Sequence, residues 1–390
     1  MDLSPLLAAI DRADVPALCR LLDARRDGRG VGPGADALPA GAGAVLLAAA
    51  VRGGGPADLA EALLVAGADP LRAGPDGEDL VEWAARHGKD EVLDRLLCRT
   101  PHDLTAGAAE RALRAARRAL AEAGPLPGRW AVVTSMETRA GTPAPPDELL
   151  RRALVHADPA GEDWSACAFP FARFPSAEFL AWARARYADA PSVAQRRFAV
   201  EVLVSMGLGV WDAEDDPTEE FAPEAAFFLR PVIGTEPDGH ALHRAIHAYA
   251  WYAERADVAD TVLPHRHHPE PDVRAAVAHA LGYARHRPDP RPAAALTALA
   301  ADASPRVRRC ALRAFAFPAA DGHDPRPLLL AALADPDLDV RLSALNGLVK
   351  HGDTHAPAAL ERLAADVAGR YEPGWLEIDC LRDQLRLAAS

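Results

Sequence analysis

An all-helical chain, folded as an α-solenoid from two arrays of stacked helix pairs, is the fold class this sequence predicts, on three observations. Val-Arg pairs recur in its second half at Val273-Arg274, Val307-Arg308 and Val340-Arg341, 34 and 33 residues apart, each opening an apolar pattern of helical period. A second helical stretch follows each of them: PAAALTALAAD at 292 to 302, PRPLLLAALAD at 325 to 335 and APAALERLAADV at 356 to 367. The first quarter carries shorter helix pairs closed by turns such as Gly67-Ala68-Asp69-Pro70. Two short helices cannot bury their apolar faces alone, so each period must stack on its neighbours and share one core.

Three copies make up residues 1 to 98: SPLLAAIDRADVPALCRLLDA (4 to 24), AVLLAAAVRGGGPADLAEALLVAGADPLRAGPDG (44 to 77) and DGEDLVEWAARHGKDEVLDRLLC (76 to 98). In the last, Asp76-Gly77 forms a hairpin turn, Leu80 to Ala85 the inner helix, Gly88 its end, and Val92 to Leu97 the outer helix. These residues resemble ankyrin repeats, and the first copy lacks the hairpin as a terminal copy would. Three copies are about the minimum for a stable array. The resemblance implies a protein partner held by the hairpin tip and inner helix, which puts Arg72, Asp76, Glu78, Glu82 and Arg86 at the contact. GRGVGPGADALPAGAGA (28 to 44) departs from the family's spacing and reads as a Gly/Ala/Pro loop inserted between the first two copies.

Residues 99 to 160 read as a helical connector with a Pro-rich linker that neither array explains. HDLTAGAAERALRAARRALAEAG (102 to 124) is a helix stopped at Gly124-Pro125. Arg111, Arg114 and Arg118 share one face of it, which reads as solvated. GRWAVVTSMETRAGTPAPPDE (128 to 148) reads as one strand before a Pro-rich loop.

Residues 161 to 390 form the second array. HPEPDVRAAVAHALGYA, DASPRVRRCALRAFAFP and DPDLDVRLSALNGLVKHGD resemble the short bacterial HEAT-like repeats first associated with bilin lyases, in which an Asp-Pro turn leads into Val-Arg and an Ala-Leu-rich helix. DGHALHRAIHAYAWYA (238 to 253) and SVAQRRFAVEVLVSMG (192 to 207) are weaker copies, and GWLEIDCLRDQLRLAAS reads as a terminal capping helix. Counting back five residues from each repeat valine gives His268, Asp302 and Asp335, so a histidine stands where sister repeats carry a carboxylate. An Asp there accepts helix N–H groups and can pair with repeat arginines.

Composition narrows the function. The net charge of -13 over 390 residues repels a phosphate backbone, so nucleic acid is disfavoured as a partner. Lysine occurs only at Lys89 and Lys350, an arginine bias that is compositional and gives no single arginine weight. Cys19, Cys98, Cys167, Cys310 and Cys380 lie far apart, which points to reduced thiols in a cytoplasmic protein. The longest apolar run, AVLLAAAV at 44 to 51, is too short for a bilayer.

The histidines offer the sharpest chemical question. His240, His243 and His247 precede His265, His267, His268, His279 and His286. His243 and His247 are i, i+4 on one face, a spacing that can chelate zinc, yet no HExxH and no third ligand follows. HEAT-fold deoxyhypusine hydroxylases hold iron with His-Glu pairs, and none of the 14 histidines here precedes a Glu. Aligning Leu242-His243 with Val273-Arg274 puts a cation about 10 Å from His243, one helix spacing, which disfavours a divalent ion. The acidic run WDAEDDPTEEF (211 to 221) has Pro217 and Pro223 where a calcium loop needs Gly and a carboxylate. HEAT-like DNA glycosylases grip phosphates with a basic face that the net charge argues against. Bilin-lyase activity does not follow from a packing motif, and no GxSxG, phosphate loop or dinucleotide turn occurs. The expectation is a cytoplasmic scaffold for a protein partner, with no catalytic residue, metal or cofactor. The alternative is a HEAT-fold enzyme or metal-dependent protein using His240 to His286.

Overall fold

A computed structural model describes residues 3–28, 38, 40–71, 79–100, 102–208, 219–285, 288–316, 319–367 and 374–389. They form α-helices, one short 3-10 helix and no strand, in two compact units, Met1–Pro170 and Phe171–Ser390. Stacked helix pairs build each unit, so the chain is an all-α repeat protein.

In the first unit α1 (Ser4–Asp11), α3 (Ala40–Arg52), α5 (Leu80–Arg86) and α7 (His102–Ala123) stack in one row. Their partners α2 (Val15–Gly28), α4 (Ala57–Val65), α6 (Asp90–Cys98) and α8 (Arg129–Arg139) stack in a second. One apolar core runs between the rows from Leu6 and Leu18 through Leu46, Leu63, Leu80 and Leu96 to Ala112 and Met136. The turn inside each of the first three pairs needs one left-handed residue, supplied by Ala13 (φ 54°), Gly54 (φ 73°) and Gly88 (φ 67°). The expected loop at 28 to 44 ends early: α3 begins at Ala40 and Ala44 is already buried in the apolar core, while 29–37 and 39 lie outside the described residues.

Residues 128 to 148 hold no strand. The helix α8 occupies Arg129–Arg139 despite Val132, Val133 and Thr134, and α9 (Pro146–His156) follows. Its start is made by a residue far along the chain: the Asp163 carboxylate accepts N–H groups from Gly128 (3.1 Å) and Ala131 (2.8 Å). That cap lies in α10 (Glu162–Arg173), and a local reading of β-branched residues cannot see it. Tertiary contacts then reinforce the helix. Ser135 donates to Asp90 (2.8 Å), and buried Arg152 bridges Thr134 (3.0 Å) and Glu137 (2.7 Å).

In the second unit α12 (Val193–Leu208), α14 (Gly239–Tyr252), α16 (Pro271–Ala284), α18 (Pro305–Ala314), α20 (Leu338–Lys350) and α22 (Trp375–Ala389) pack one on the next. The helices between them, α11 (Ala177–Ala188), α13 (Ala222–Thr235), α15 (Arg255–Val262), α17 (Pro290–Leu299), α19 (Arg326–Ala332) and α21 (Ala356–Asp366), pack mainly on that inner row and little on each other. Every helical stretch of the second array read above coincides with one of these helices.

Arginine rungs fix the stacking register. Arg274 grips Asp302 with two bonds (2.7 and 2.8 Å), Arg308 grips Asp335 likewise (2.8 and 2.8 Å), and Arg341 reaches Asp366 (3.6 Å). Arg196 and Glu236 form the rung between α12 and α14 (3.0 and 3.2 Å). Three of these carboxylates also accept the N–H two residues on, Glu236 from Asp238, Asp302 from Ser304 and Asp335 from Asp337. A planar guanidinium on a carboxylate that also caps a turn is a directional lock, which apolar packing alone lacks.

Candidate functional site

The rungs set the register of the inner row. Because Glu236 holds the turn position, buried Ala241 is the counterpart of Val273, Val307 and Val340. The alignment of Leu242-His243 with Val273-Arg274 is therefore one residue off: Leu242 stands where the others have arginine, and His243 faces the place of Ala275. His247, His279, Arg313 and Asn346 then form one column across α14, α16, α18 and α20.

Aromatic contacts show the same column. The His247 and His279 rings stack at 4.3 Å and 14°. His240 meets His243 edge-on at 4.8 Å, His247 meets Trp251 at 4.9 Å, and His279 meets Tyr283 at 5.4 Å. Burial is the main cause that holds these imidazoles neutral. It lowers His243 and His279 to about 4 and His247 to about 3, with neighbouring His240, His279 and Arg313 adding to the effect. His240 is lowered by the same cause. Arg274 does not set this environment, since its guanidinium is committed to Asp302 and to the His268 and Pro269 carbonyls.

Ring nitrogens of His240, His243 and His279 and the Trp251 indole nitrogen are buried without a hydrogen-bond partner. An unpartnered buried polar atom costs about 1 to 3 kcal/mol, so this stripe is among the least satisfied parts of the unit. Among the described residues no group of three or more His, Cys, Asp or Glu side chains is gathered to hold a metal ion. Parallel rings point their lone pairs side by side and do not converge on one ion. His286 lies outside the described residues.

The column runs into a cavity of about 320 Å³ between α18, α20 and α22. Leu342 and Leu381 form its apolar floor, and Arg309 (bonded to Asp339 at 2.8 Å), Arg313, Asn346, Glu377 and Gln384 its polar wall. No local motif in the sequence marks these residues. Aligning the repeats in the rung register would have placed Arg313 and Asn346 beyond His279, whereas Glu377 and Gln384 belong to a helix with no repeat signature.

In the first unit, Arg72, Asp76 and Glu78 lie outside the described residues. Glu82 sits on α5 and faces Arg111 of α7 at 3.7 Å, and Arg111 also bonds Asp79 (3.3 Å). Arg86 ends the same helix. The stripe read as solvated is thus partly used for stacking: Arg111 ties α7 to α5, while Arg114 pairs, among the described residues, with Glu110 on its own helix. A second cavity, about 580 Å³, opens among His87, Lys89, His156, Glu162 and Asp163. Asp163 is occupied there as the α8 cap, with His156 at 3.6 Å. Burial raises Glu162, and it raises Asp90 to about 6.

No protein-family model matches the chain, and no curated protein matches it significantly. Among solved structures it is similar to Kap121p bound to Pho4p, at 13% identity over 96% of this chain and 45% of that one, with a TM-score of 0.35. It is also similar to the karyopherin Kap121p bound to the extreme C-terminus of the protein phosphatase Cdc14p, at 12% identity over 97% and 45%, with a TM-score of 0.33. The chain spans a little under half the length of these structures. The fold assignment rests on the stacked helix pairs themselves.

Proposed function

We propose that the chain is a repeat scaffold that holds a protein partner along its helix rows and performs no chemistry of its own. One observation carries the reading. In the second unit the arginine rungs and apolar core account for most of the stacking, and the inner row carries in addition a column of aromatic and polar side chains, half-buried and stacked at His247 and His279 and opening at Arg313 and Asn346 into the cavity between α18, α20 and α22. Stacked repeats are suited to presenting such a column as an extended surface. In the first unit we propose an ankyrin-type array whose partner contacts are Arg72, Asp76, Glu78, Glu82 and Arg86. Helices α1 to α6 stack in pairs with a left-handed residue in each turn, which supports that reading. Among the described residues no helix is long and apolar enough to cross a membrane, and all five cysteines are free. A cytoplasmic setting belongs to the same proposal.

A photo-crosslinking residue at Tyr283 on the inner row, compared with one at Arg326 on α19, tests the reading in the protein's own cell extract. The expected result is a polypeptide adduct at position 283 and none at 326. Adducts at both positions alike, or co-purification of only a small molecule or nucleic acid, would overturn it. Metal analysis of the purified protein tests the ion-dependent alternative: a stoichiometric ion lost on His243→Ala or His247→Ala would replace the scaffold reading.

A further inference from the structure

Most charged groups of the inner row are already engaged. Arg306 bonds Asp272 (2.7 Å), Arg308 bonds Asp335, Arg309 bonds Asp339, and Ser343 donates to the Asp339 carbonyl (2.8 Å). Four side chains around the α18, α20 and α22 cavity are not. Arg313, Asn346, Glu377 and Gln384 line it and form no side-chain hydrogen bond or ion pair among the described residues.

Their chemistry is mixed in a specific way. Asn346 and Gln384 each offer a donor and an acceptor, matched to the N–H and C=O of a peptide main chain. Arg313 offers a planar fork for a carboxylate, and Glu377 an acceptor for a cationic side chain. Arg313 and Glu377 do not neutralise each other, so two subsites of opposite sign stand apart in one cavity. The Arg309 and Asp339 charges cancel beside them. A purely acidic ligand would meet Glu377 and the field of a chain carrying -13, and a purely basic one would meet Arg313. At about 320 Å³ the cavity lies at the small end of ligand sites, so it admits a short stretch of chain and no folded domain.

We infer that this cavity seats an extended segment of a partner polypeptide carrying one acidic and one basic side chain. Asn346 and Gln384 hold its main chain, Arg313 its acid and Glu377 its base. The inference rests on the scaffold reading and deepens it by stating what the partner presents.

The test uses the full chain and fluorescein-labelled nine-residue peptides in an alanine and serine background. Each carries one Glu and one Arg, two to four positions apart and in both orders, and single-charge peptides serve as controls; binding is read by anisotropy. One charge order is expected to bind. Arg313→Glu or Glu377→Arg is expected to weaken it at least tenfold, and the double variant to prefer the reversed order. Asn346→Ala with Gln384→Ala should weaken the bound order without transferring preference to the other. All these side chains lie on the surface of formed helices, and thermal melts of the variants verify folding. No binding of any peptide, binding indifferent to both single charge reversals, equal binding of single-charge peptides, or equal competition by free arginine and glutamate would each overturn the inference. If position 283 still crosslinks a polypeptide in those cases, only the cavity assignment fails. If it does not, the scaffold reading fails with it.

Discussion

At the residue scale, the rung is the unit of specification, and His268 is informative because it breaks it. Its Nδ1 accepts the Glu270 N–H at 3.2 Å, the service that Asp302 and Asp335 give Ser304 and Asp337. What is missing is the other half, since buried Leu242 occupies the arginine place on α14. The gain expected from His268→Asp is therefore small, about 0.5 kcal/mol from a better cap. Asp335→Ala strips Arg308 of a bidentate partner and Asp337 of its acceptor at a mostly buried site, and costs about 2 to 3 kcal/mol. Urea unfolding of the two variants checks the contrast, and a His268→Asp gain as large as the Asp335→Ala loss would contradict it. A second exception is Ala13, which adopts the left-handed turn conformation that Gly54 and Gly88 take in the next two pairs. A Cβ there costs about 1 to 2 kcal/mol, against about 0.5 to 1 kcal/mol for the added freedom of an unfolded glycine. Ala13→Gly should thus stabilise the first unit by up to about 1 kcal/mol, and a lowered melting temperature would refute it.

At the scale of elements, α14 and α16 carry the second unit's histidine pH dependence. In the unfolded chain each imidazole titrates near 6.5, whereas in α14 and α16 burial lowers His243, His247 and His279 to about 3 or 4. Between those values the unfolded state binds more protons, so the stability these histidines contribute is fully present above about pH 6.5 and is lost as pH drops towards 4. The loss is up to about 1.4 kcal/mol per pH unit for each imidazole. In the first unit Asp90, raised to about 6, acts with the opposite sign, because its folded form takes up the proton first. Comparing the protein with His247→Phe, His279→Phe isolates the histidine contribution: the double variant should lose less stability between pH 6.5 and 4.5, and an unchanged slope would count against burial as the cause. The helix α8 makes a different point about elements. Val132, Val133 and Thr134 argue locally for a strand, and only Asp163, some thirty residues on, starts the helix. Asp163→Ala leaves two buried N–H groups unpaired and should cost about 2 to 3 kcal/mol, with Asp163→Asn, which keeps one acceptor, costing less in the same urea titration. Helices of the repeats were legible because each carries its own apolar period, and some their own cap, as Asp79, Asp238, Asp289 and Asp337 do. In the connector the helix at 102 to 124 was legible in the same way, whereas α8 was not, because its cap Asp163 and its partners Asp90 and Arg152 are distant in sequence.

At the scale of the whole molecule, the repeat architecture follows from local periodicity and was legible from the Val-Arg pairs, whereas the inner-row column was not. Its register depends on rungs such as Arg196 with Glu236, whose partners lie forty residues apart, and a slip of one residue exchanges His243 for Leu242. The same long-range charges set the last expectation. The chain carries -13, and its excess negative charge is spread over exposed carboxylates, where self-repulsion is screened by salt within about 10 Å at 0.1 M. The rungs are different, for the Arg274, Asp302, Arg308 and Asp335 side chains keep at most 16% of their surface exposed, and partly buried pairs are screened far less. Salt therefore weakens the repulsion more than it weakens the rungs. The melting temperature should rise by a few degrees between about 20 and about 300 mM NaCl at pH 7, where the histidines are neutral. Asp335→Ala, which removes one negative charge and one rung, should melt lower throughout but keep a similar rise. A fall with salt would mean that exposed pairs such as Arg306 with Asp272 and Arg309 with Asp339 carry the stacking, and that the rungs do not.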